Sequence, residues 1–222
     1  MGFAQDLMNE NLPIWQQCLD TPFLRDLEKG VLDEDCFKGY IVDDSLYLRE
    51  YAKVFAWGMT KAETMEEIRA YYSLLTFVNE SEDSTRLKYL ERYGLTDDQI
   101  QKLPRRPENQ AYGQCMLDAA QNGEGAPECM MACLPCMVSY AWIFRTMVER
   151  TSAIRETVFW PLVADYAADR YWEICQEWMA FTDKVCQGMS PERKELCRKI
   201  YRDCSIHELH FWEMSAHPRQ DV

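Results

Sequence analysis

Apolar and aromatic residues recur at helical spacing along almost the whole chain, and this periodicity restricts the fold more than any other feature. In residues 33–58, intervals of three and four place four side chains on one helix face: Tyr40, Asp44, Tyr47 and Tyr51. A two-residue alternation of β-branched residues between turns, which would indicate strands, is not sustained in the sequence. The pattern therefore predicts an all-α protein.

Helices are predicted at about residues 3–19, 33–58, 63–79, 82–93, 108–121, 127–149, 161–187 and 191–214. Proline and glycine residues mark several of the boundaries between them. Before the last helix, for example, Ser190 is a typical N-cap and Pro191 suits the first helical position. No linker, repeat or low-complexity run divides the sequence, so we expect one domain spanning residues 1–222.

The composition is that of a globular protein. Hydrophobic residues make up 47% of the 222 residues, which is enough to bury a full core. No run approaches the roughly 20 apolar residues that cross a bilayer, and the N-terminus lacks the basic and apolar regions of a signal peptide. We therefore expect a soluble, cytoplasmic protein.

The formal net charge of -13 restricts the partners of the protein. Binding to nucleic acid without sequence preference requires Lys and Arg to neutralise phosphates, and anionic membranes make a similar demand. The nearest approach to a basic cluster is Arg105 with Arg106, in a predicted loop. Nucleic acid and membranes are therefore not expected as partners, whereas a neutral or cationic small molecule suits the charge.

Ten cysteines are present, and most lie within amphipathic helical patterns. Without a secretory signal, we expect reduced thiols that pack as small apolar residues. Cys129, Cys133 and Cys136 also have the C-x3-C-x2-C spacing of an iron–sulfur site in radical enzymes. That site normally follows a strand of an α/β barrel, and this sequence has no βα alternation, so helix packing is favoured for Cys129 and Cys133.

His207 and His210 share a helical face and raise the alternative of a metal site. The zinc-protease motif, however, separates its histidines by four residues, and a di-iron bundle needs Glu three residues before each His. Only His217 remains as a further imidazole ligand. Two polar residues beside a buried carboxylate are therefore favoured, and no metal site is predicted.

Two carboxylates fall on faces that are otherwise apolar. Asp44 shares its face with tyrosines, where a charge would be partly desolvated and would need partners. The alternative is that Asp43 and Asp44 are one exposed and one capped carboxylate. Glu208 falls on the inner side of the last helix with Phe211, and burial there would raise its pKa toward that of an acid acting near neutral pH. The alternative for Glu208 is an exposed side chain.

Cys136 directly follows Pro135, which suggests a helical discontinuity or a first helical turn at this point. Amides at a helix terminus would activate a thiol placed there. Tyr140 lies one turn later on the same face. Cys136 is thus a candidate nucleophile, and an ordinary buried thiol is the alternative.

Three segments, in order, resemble the TenA family, the thiaminase II (aminopyrimidine aminohydrolase) proteins of thiamin salvage. They are residues 37–53, residues 134–136 with Tyr140, and residues 206–212. The resemblance covers essentially the whole chain and implies the haem-oxygenase-like helical bundle without haem. Because it contains Cys136, the sequence resembles the branch of the family that has an active-site cysteine.

The resemblance also implies roles for individual residues. Cys136 would be the nucleophile and Glu208 the acid. The substrate-binding residues would be Asp44, Tyr47, Tyr112, Tyr140, Tyr166 and Phe211. The sequence departs from the family at Ser84 and Lys88, where relatives often have Glu and His.

The implied reaction converts 4-amino-5-aminomethyl-2-methylpyrimidine to 4-amino-5-hydroxymethyl-2-methylpyrimidine, with thiamin as a further candidate substrate. The Cys136 thiolate would add to the pyrimidine ring, so that ring electrons expel the amine. The resemblance implies no metal or organic cofactor, and it implies a homotetramer. The competing class is a non-catalytic aminopyrimidine-binding protein on the same fold, which would need neither Cys136 nor Glu208. An oxidase on this fold would need more Arg, Lys and His facing the pocket.

Overall fold

The computed structural model describes residues 2–77 and 83–222. Within these ranges the chain forms a 3-10 helix, Ala153–Glu156, and the α-helices α1 Phe3–Leu19, α2 Pro22–Lys29, α3 Glu34–Lys61, α4 Met65–Phe77, α5 Asp83–Arg92, α6 Asp97–Ile100, α7 Pro107–Asn122, α8 Ala126–Arg150, α9 Trp160–Ala167, α10 Asp169–Val185 and α11 Pro191–Ser215. The described residues include no strand, and the prediction of an all-α protein is confirmed. Lys88 is exposed on α5, and the side chain of Ser84 lies outside the described part of the chain.

The helix α2 was not predicted from the sequence. It has only eight residues, whereas isolated helices become stable at about 12 to 15 residues. Its apolar residues Phe23, Leu24 and Leu27 are fully buried in the core. Packing against the other helices therefore stabilises a segment that is too short to form a helix by itself.

The predicted helix 161–187 is divided in two at Ala168, whose backbone is extended with φ -60° and ψ 143°. No proline or glycine marks this break in the sequence. Arg145, on α8, donates hydrogen bonds to the carbonyl oxygen of Ala167 at 3.2 Å and to the Asp169 carboxylate at 2.9 Å. A side chain from another helix thus satisfies the backbone group that the break exposes.

The central helix of the bundle is α8. It packs against α1, α3, α7, α9, α10 and α11, and residues 129–134 are fully buried. By length and hydropathy α8 is the one helix among the described residues that could cross a bilayer, but 72% of that apolar window is buried inside the protein. The sequence expectation that no apolar run comes near this length was therefore wrong for α8, and the run forms a core helix.

A buried ion-pair cluster joins three helices at the position next to Asp44. The Asp43 carboxylate is fully buried and accepts hydrogen bonds from Arg106 Nε at 2.7 Å and from Arg219 Nη1 at 2.6 Å. The Asp43 carbonyl oxygen accepts a further hydrogen bond from Asn109 Nδ2 at 2.6 Å. Asp43 and Asp44 are therefore both buried, so the alternative of one exposed carboxylate was wrong.

Arg106 extends the same cluster to the end of α11. Its Nη1 atom donates to the carbonyl oxygens of Met214 at 3.0 Å and of His217 at 2.8 Å. Through these contacts, Arg106 connects the middle of α3, the start of α7 and the end of α11. We infer that this cluster sets the register of these three helices relative to one another.

Replacing Asp43 with Asn is expected to destabilise the protein by about 3–5 kcal/mol, because Arg106 and Arg219 would lose the buried carboxylate that they share, and Arg219 would keep only Asp221 as an acidic partner. Urea unfolding followed by circular dichroism measures the change. The matched control is Glu173→Gln, which breaks an ion pair with Arg170 on the surface of α10 and should change stability little. Equal effects of the two substitutions would contradict a structural role for the cluster.

Candidate active site

Five helices bring the eight predicted site residues together inside the bundle. All eight are buried except Cys136, which is half-buried. Helical spacing explains much of this arrangement, because residues three or four positions apart share a face. Three such pairs project from three helices: Asp44 with Tyr47 on α3, Cys136 with Tyr140 on α8, and Glu208 with Phe211 on α11. The remaining two residues are Tyr112 on α7 and Tyr166 on α9.

Glu208 lies at the centre of the group and is only 1% exposed. The Tyr112 hydroxyl donates a hydrogen bond to Glu208 Oε1 at 2.6 Å, and the Cys136 thiol donates another to the same carboxyl group. Burial raises the pKa of Glu208 to about 7; the two hydrogen bonds oppose this rise and the nearby Asp44 carboxylate adds to it. Glu208 can therefore gain or lose a proton near neutral pH while in contact with a thiol.

Aromatic rings surround the carboxyl and thiol groups. The ring centroid of Tyr47 lies 4.9 Å from that of Tyr112 and 5.9 Å from that of Phe211. On the side of α8, the rings of Tyr140 and Tyr166 are 4.8 Å apart. Apolar walls with a few polar groups placed among them are typical of sites that bind a small planar molecule.

Two further aromatic residues contact this region and were not predicted as site residues. The Tyr40 hydroxyl lies 3.4 Å from that of Tyr140, and its ring stacks on Trp212 at 5.4 Å. Trp212 also packs against Tyr140 at 5.0 Å. Tyr40 could have been found from its position one turn before Asp44. Trp212 could not, since nothing in the sequence distinguishes it from an ordinary core residue.

Cys136 lies in the interior of a continuous helix. α8 passes through Pro135 without ending, and Cys136 is ten residues from its first residue, Ala126. The prediction that Cys136 occupies a helical discontinuity or a first turn was therefore wrong, because the buried neighbours of α8 hold the helix together across the proline. Amides at a helix terminus do not reach this thiol, and its observed partner is the Glu208 carboxyl group.

The cysteines and histidines that raised metal-site alternatives contact protein groups. Cys129 and Cys133 are fully buried in the core. The His207 ring stacks on Tyr112, with centroids 5.5 Å apart and an interplanar angle of 10°. Among the described residues, no group of three or more His, Cys, Asp or Glu side chains is arranged to hold a metal ion.

The raised pKa of Glu208 should make stability depend on pH. Between pH 4.5, the ordinary pKa of Glu, and about pH 7, the unfolded chain loses this proton while the folded protein keeps it. The free energy of unfolding therefore falls as the pH rises, by a contribution on the order of 3 kcal/mol, and the contribution is constant above pH 7.

We expect Glu208→Gln to lack this contribution. The stability of the variant relative to wild type should rise between pH 4.5 and 7 and then level off, which urea unfolding at a series of pH values measures. A difference that is constant over this range would contradict the raised pKa.

Comparison with known proteins identifies the family. Residues 9–217 match the TENA/THI-4/PQQC family. The aminopyrimidine aminohydrolase of Halalkalibacterium halodurans is 26% identical over 219 residues, which cover 99% of this chain and 97% of the relative. A protein of the same name from Helicobacter pylori is 27% identical, with 97% of this chain and 99% of the relative covered.

Solved structures show the same fold. The TenA homologue of P. horikoshii superposes with a TM-score of 0.84 at 26% identity, covering 97% of this chain and 98% of that chain. The prediction of a haem-oxygenase-like helical fold is thereby confirmed. From the match over residues 9–217, together with the shared fold, we conclude that the chain belongs to the TENA/THI-4/PQQC family.

Proposed function

We propose that this protein is an aminopyrimidine aminohydrolase (thiaminase II) of thiamin salvage. In this proposal it converts 4-amino-5-aminomethyl-2-methylpyrimidine to the 5-hydroxymethyl compound and cleaves thiamin as a second substrate. The observation that carries the proposal is the hydrogen bond between the half-buried thiol of Cys136 and the buried carboxyl group of Glu208, whose pKa is about 7. The names of the relatives from H. halodurans and H. pylori support the same activity.

Proton transfer from Cys136 to Glu208 is the first proposed step. The thiol already donates a hydrogen bond to this carboxyl group, so the proton moves along an existing contact. A carboxylate with a pKa of about 7 accepts a thiol proton more readily than an ordinary Glu does. The product is a thiolate, which is the nucleophilic form of cysteine.

The thiolate then adds to a carbon atom of the pyrimidine ring, forming a C–S bond and interrupting the aromatic system. Ring electrons break the C–N bond at the exocyclic methylene group, and the amine leaves with the proton held by Glu208. Water adds to the methylene group and gives a proton to the Glu208 carboxylate. Cleavage of the C–S bond restores the aromatic ring, so that one amine is replaced by one hydroxyl group.

Asp44 holds the amino edge of the substrate through charge-assisted hydrogen bonds. It is 7% exposed, and its charge contributes to raising the pKa values of Glu208 and Tyr140, which supports its position beside the reacting groups. The remaining substrate-binding residues orient the ring through their hydroxyl groups and faces, and they are Tyr47, Tyr112, Tyr140, Tyr166 and Phe211. These proposed steps require no metal or organic cofactor.

The proposal also covers the oligomeric state of the enzyme, its compartment and its ligand. We propose a single-domain subunit that assembles as a homotetramer in the cytoplasm, with the small aminopyrimidine or thiamin as its partner. The net charge of -13 supports a small molecule rather than nucleic acid or an anionic membrane surface.

The deciding experiment incubates the purified protein with the aminomethyl pyrimidine and with thiamin and measures release of the hydroxymethyl pyrimidine by chromatography. Cys136→Ser should lower kcat by about three orders of magnitude or more while ligand binding is retained, because the hydroxyl group is a much weaker nucleophile. The control is Cys36→Ser, whose hydroxyl can keep the hydrogen bond that the Cys36 thiol donates to the Ala216 carbonyl oxygen.

Full activity in Cys136→Ser would contradict the proposed nucleophile. Tight binding of the pyrimidine by the wild-type protein without product release would identify the alternative, a non-catalytic aminopyrimidine-binding protein. In that case Cys136→Ser and Glu208→Gln should both bind the ligand as the wild type does.

The pH dependence of the rate tests the proton transfer separately. The first step needs ionised Glu208, so kcat/KM should fall about tenfold per pH unit below an apparent pKa of about 7. In Glu208→Gln, the decrease of kcat/KM at low pH should be absent, and the rate should be about 10²–10⁴-fold lower. The pH profile is corrected for protonation of the substrate itself, which is measured from the ultraviolet spectrum of the substrate. A wild-type profile that is flat from pH 5 to 8 after correction would exclude this role.

A further inference from the structure

A second cluster of reactive groups lies between α7 and α11, one helical turn from the proposed catalytic acid. It consists of Cys115, Cys204 and His207. Cys115 follows Tyr112 by three residues on α7, and Cys204 precedes Glu208 by four residues on α11. Because α7 and α11 pack together, the hydrogen bond between Tyr112 and Glu208 and the contact between the two thiols connect the same two helices.

The two thiols of this cluster differ in their chemistry. The Cys115 sulfur accepts a hydrogen bond from the Cys204 thiol and interacts with the His207 ring. The hydrogen bond from Cys204, assisted by His207, lowers the pKa of Cys115 against the opposing effect of burial. The same hydrogen bond and complete burial raise the pKa of Cys204. Of the two thiols, Cys115 is therefore the one that loses its proton more readily.

Cys115 can be reached from the surface without passing through the proposed active site. An open surface pocket of about 530 Å³ is lined in part by Cys115, His207, Asp118 and Asp203. None of the eight proposed site residues lines it. Asp118 and Asp203 at the pocket, together with the net charge of -13, disfavour anionic reagents such as glutathione disulfide and leave a small neutral oxidant as the better match.

We propose that Cys115 and Cys204 form a peroxide-sensitive thiol pair that closes into a disulfide between α7 and α11. The Cys115 thiolate attacks one oxygen of hydrogen peroxide, the O–O bond breaks, and sulfenic acid and hydroxide form. The Cys204 thiol then attacks the sulfenic sulfur, the S–O bond breaks, and water leaves as the disulfide forms. Sulfur is oxidised and peroxide is reduced, and an added dithiol reduces the disulfide back to two thiols while it is itself oxidised to a disulfide.

Disulfide formation would also alter the neighbouring acid. A disulfide holds its sulfur atoms about 2.05 Å apart, much closer than two hydrogen-bonded thiols, so α7 and α11 must shift at this level. The hydrogen bond between the two thiols is lost at the same time. Both changes act one turn from the 2.6 Å hydrogen bond between Tyr112 and Glu208, and we expect oxidation to lower the hydrolase activity. This last effect rests on the proposed function, whereas the disulfide itself does not.

The protein contains a matched internal control. Cys186 and Cys197 also form a hydrogen-bonded thiol pair, and this bond lowers the pKa of Cys186. These two residues are only 1% and 0% exposed. If access from the surface pocket decides reactivity, this covered pair should remain reduced under conditions that oxidise Cys115.

The experiment treats the full-length protein with hydrogen peroxide, blocks free thiols with N-ethylmaleimide and maps disulfides by mass spectrometry. Digestion needs trypsin together with a glutamate-specific protease, since cleavage at Glu124 and Glu128 separates Cys115 from Cys136. A peptide linking Cys115 to Cys204 is expected in the wild type and in Cys136→Ser, and dithiothreitol should remove it. In Cys204→Ala, dimedone should trap the sulfenic acid on Cys115.

Three results would overturn the proposal: Cys115 remains fully alkylated, Cys115 passes to sulfinic acid without a disulfide, or Cys186 and Cys197 become linked as readily.

The activity measurement compares wild type with Cys115→Ser after the same peroxide dose. We expect a loss of about fivefold or more in wild type, reversed by dithiothreitol, and less than about twofold in the variant. Equal losses would show that the inhibition arises elsewhere than at Cys115, and would contradict the link between this thiol pair and the activity. A mapped disulfide in a protein without hydrolase activity would contradict the proposed function and leave the thiol pair standing.

Discussion

The carboxyl group of Glu208 is buried in the C-terminal half of α11, and the surrounding helices supply its hydrogen bonds. A buried carboxyl group without partners would be costly, so Tyr112 from α7 and Cys136 from α8 must stay within reach of it. Its pKa of about 7 follows mainly from this burial. The same constraint therefore links the packing of three helices to the proton transfer proposed for the site.

The cluster around Asp43 holds the helices in the arrangement that Glu208 requires. Arg106 and Arg219 neutralise Asp43 inside the protein and connect the end of α11 to α3. Asp44, the next residue along α3, thereby keeps its place on the face that points toward Glu208. Asp43, which has a structural role, and Asp44, which is proposed to bind the substrate, are thus adjacent in sequence, and only the partners of their carboxylates distinguish them.

The two thiol groups near Glu208 show how the surroundings separate similar residues. Cys136 donates to the buried carboxyl group, whereas Cys115 accepts hydrogen bonds and faces a surface pocket. Neither property follows from the position of the cysteine in its helix. The proposed nucleophile and the proposed oxidation site are therefore defined by contacts between helices.

Helical periodicity by itself determined that the protein is all-α, and it placed Asp44 with Tyr47, and Cys136 with Tyr140, on common faces. Such spacing is a local property of one helix, so the sequence contains it directly. Three features depended on the tertiary structure: the break at Ala168, the continuous passage of α8 through Pro135, and the partners of Glu208. Each of these results from side chains that are distant in sequence and that become neighbours only when the helices pack.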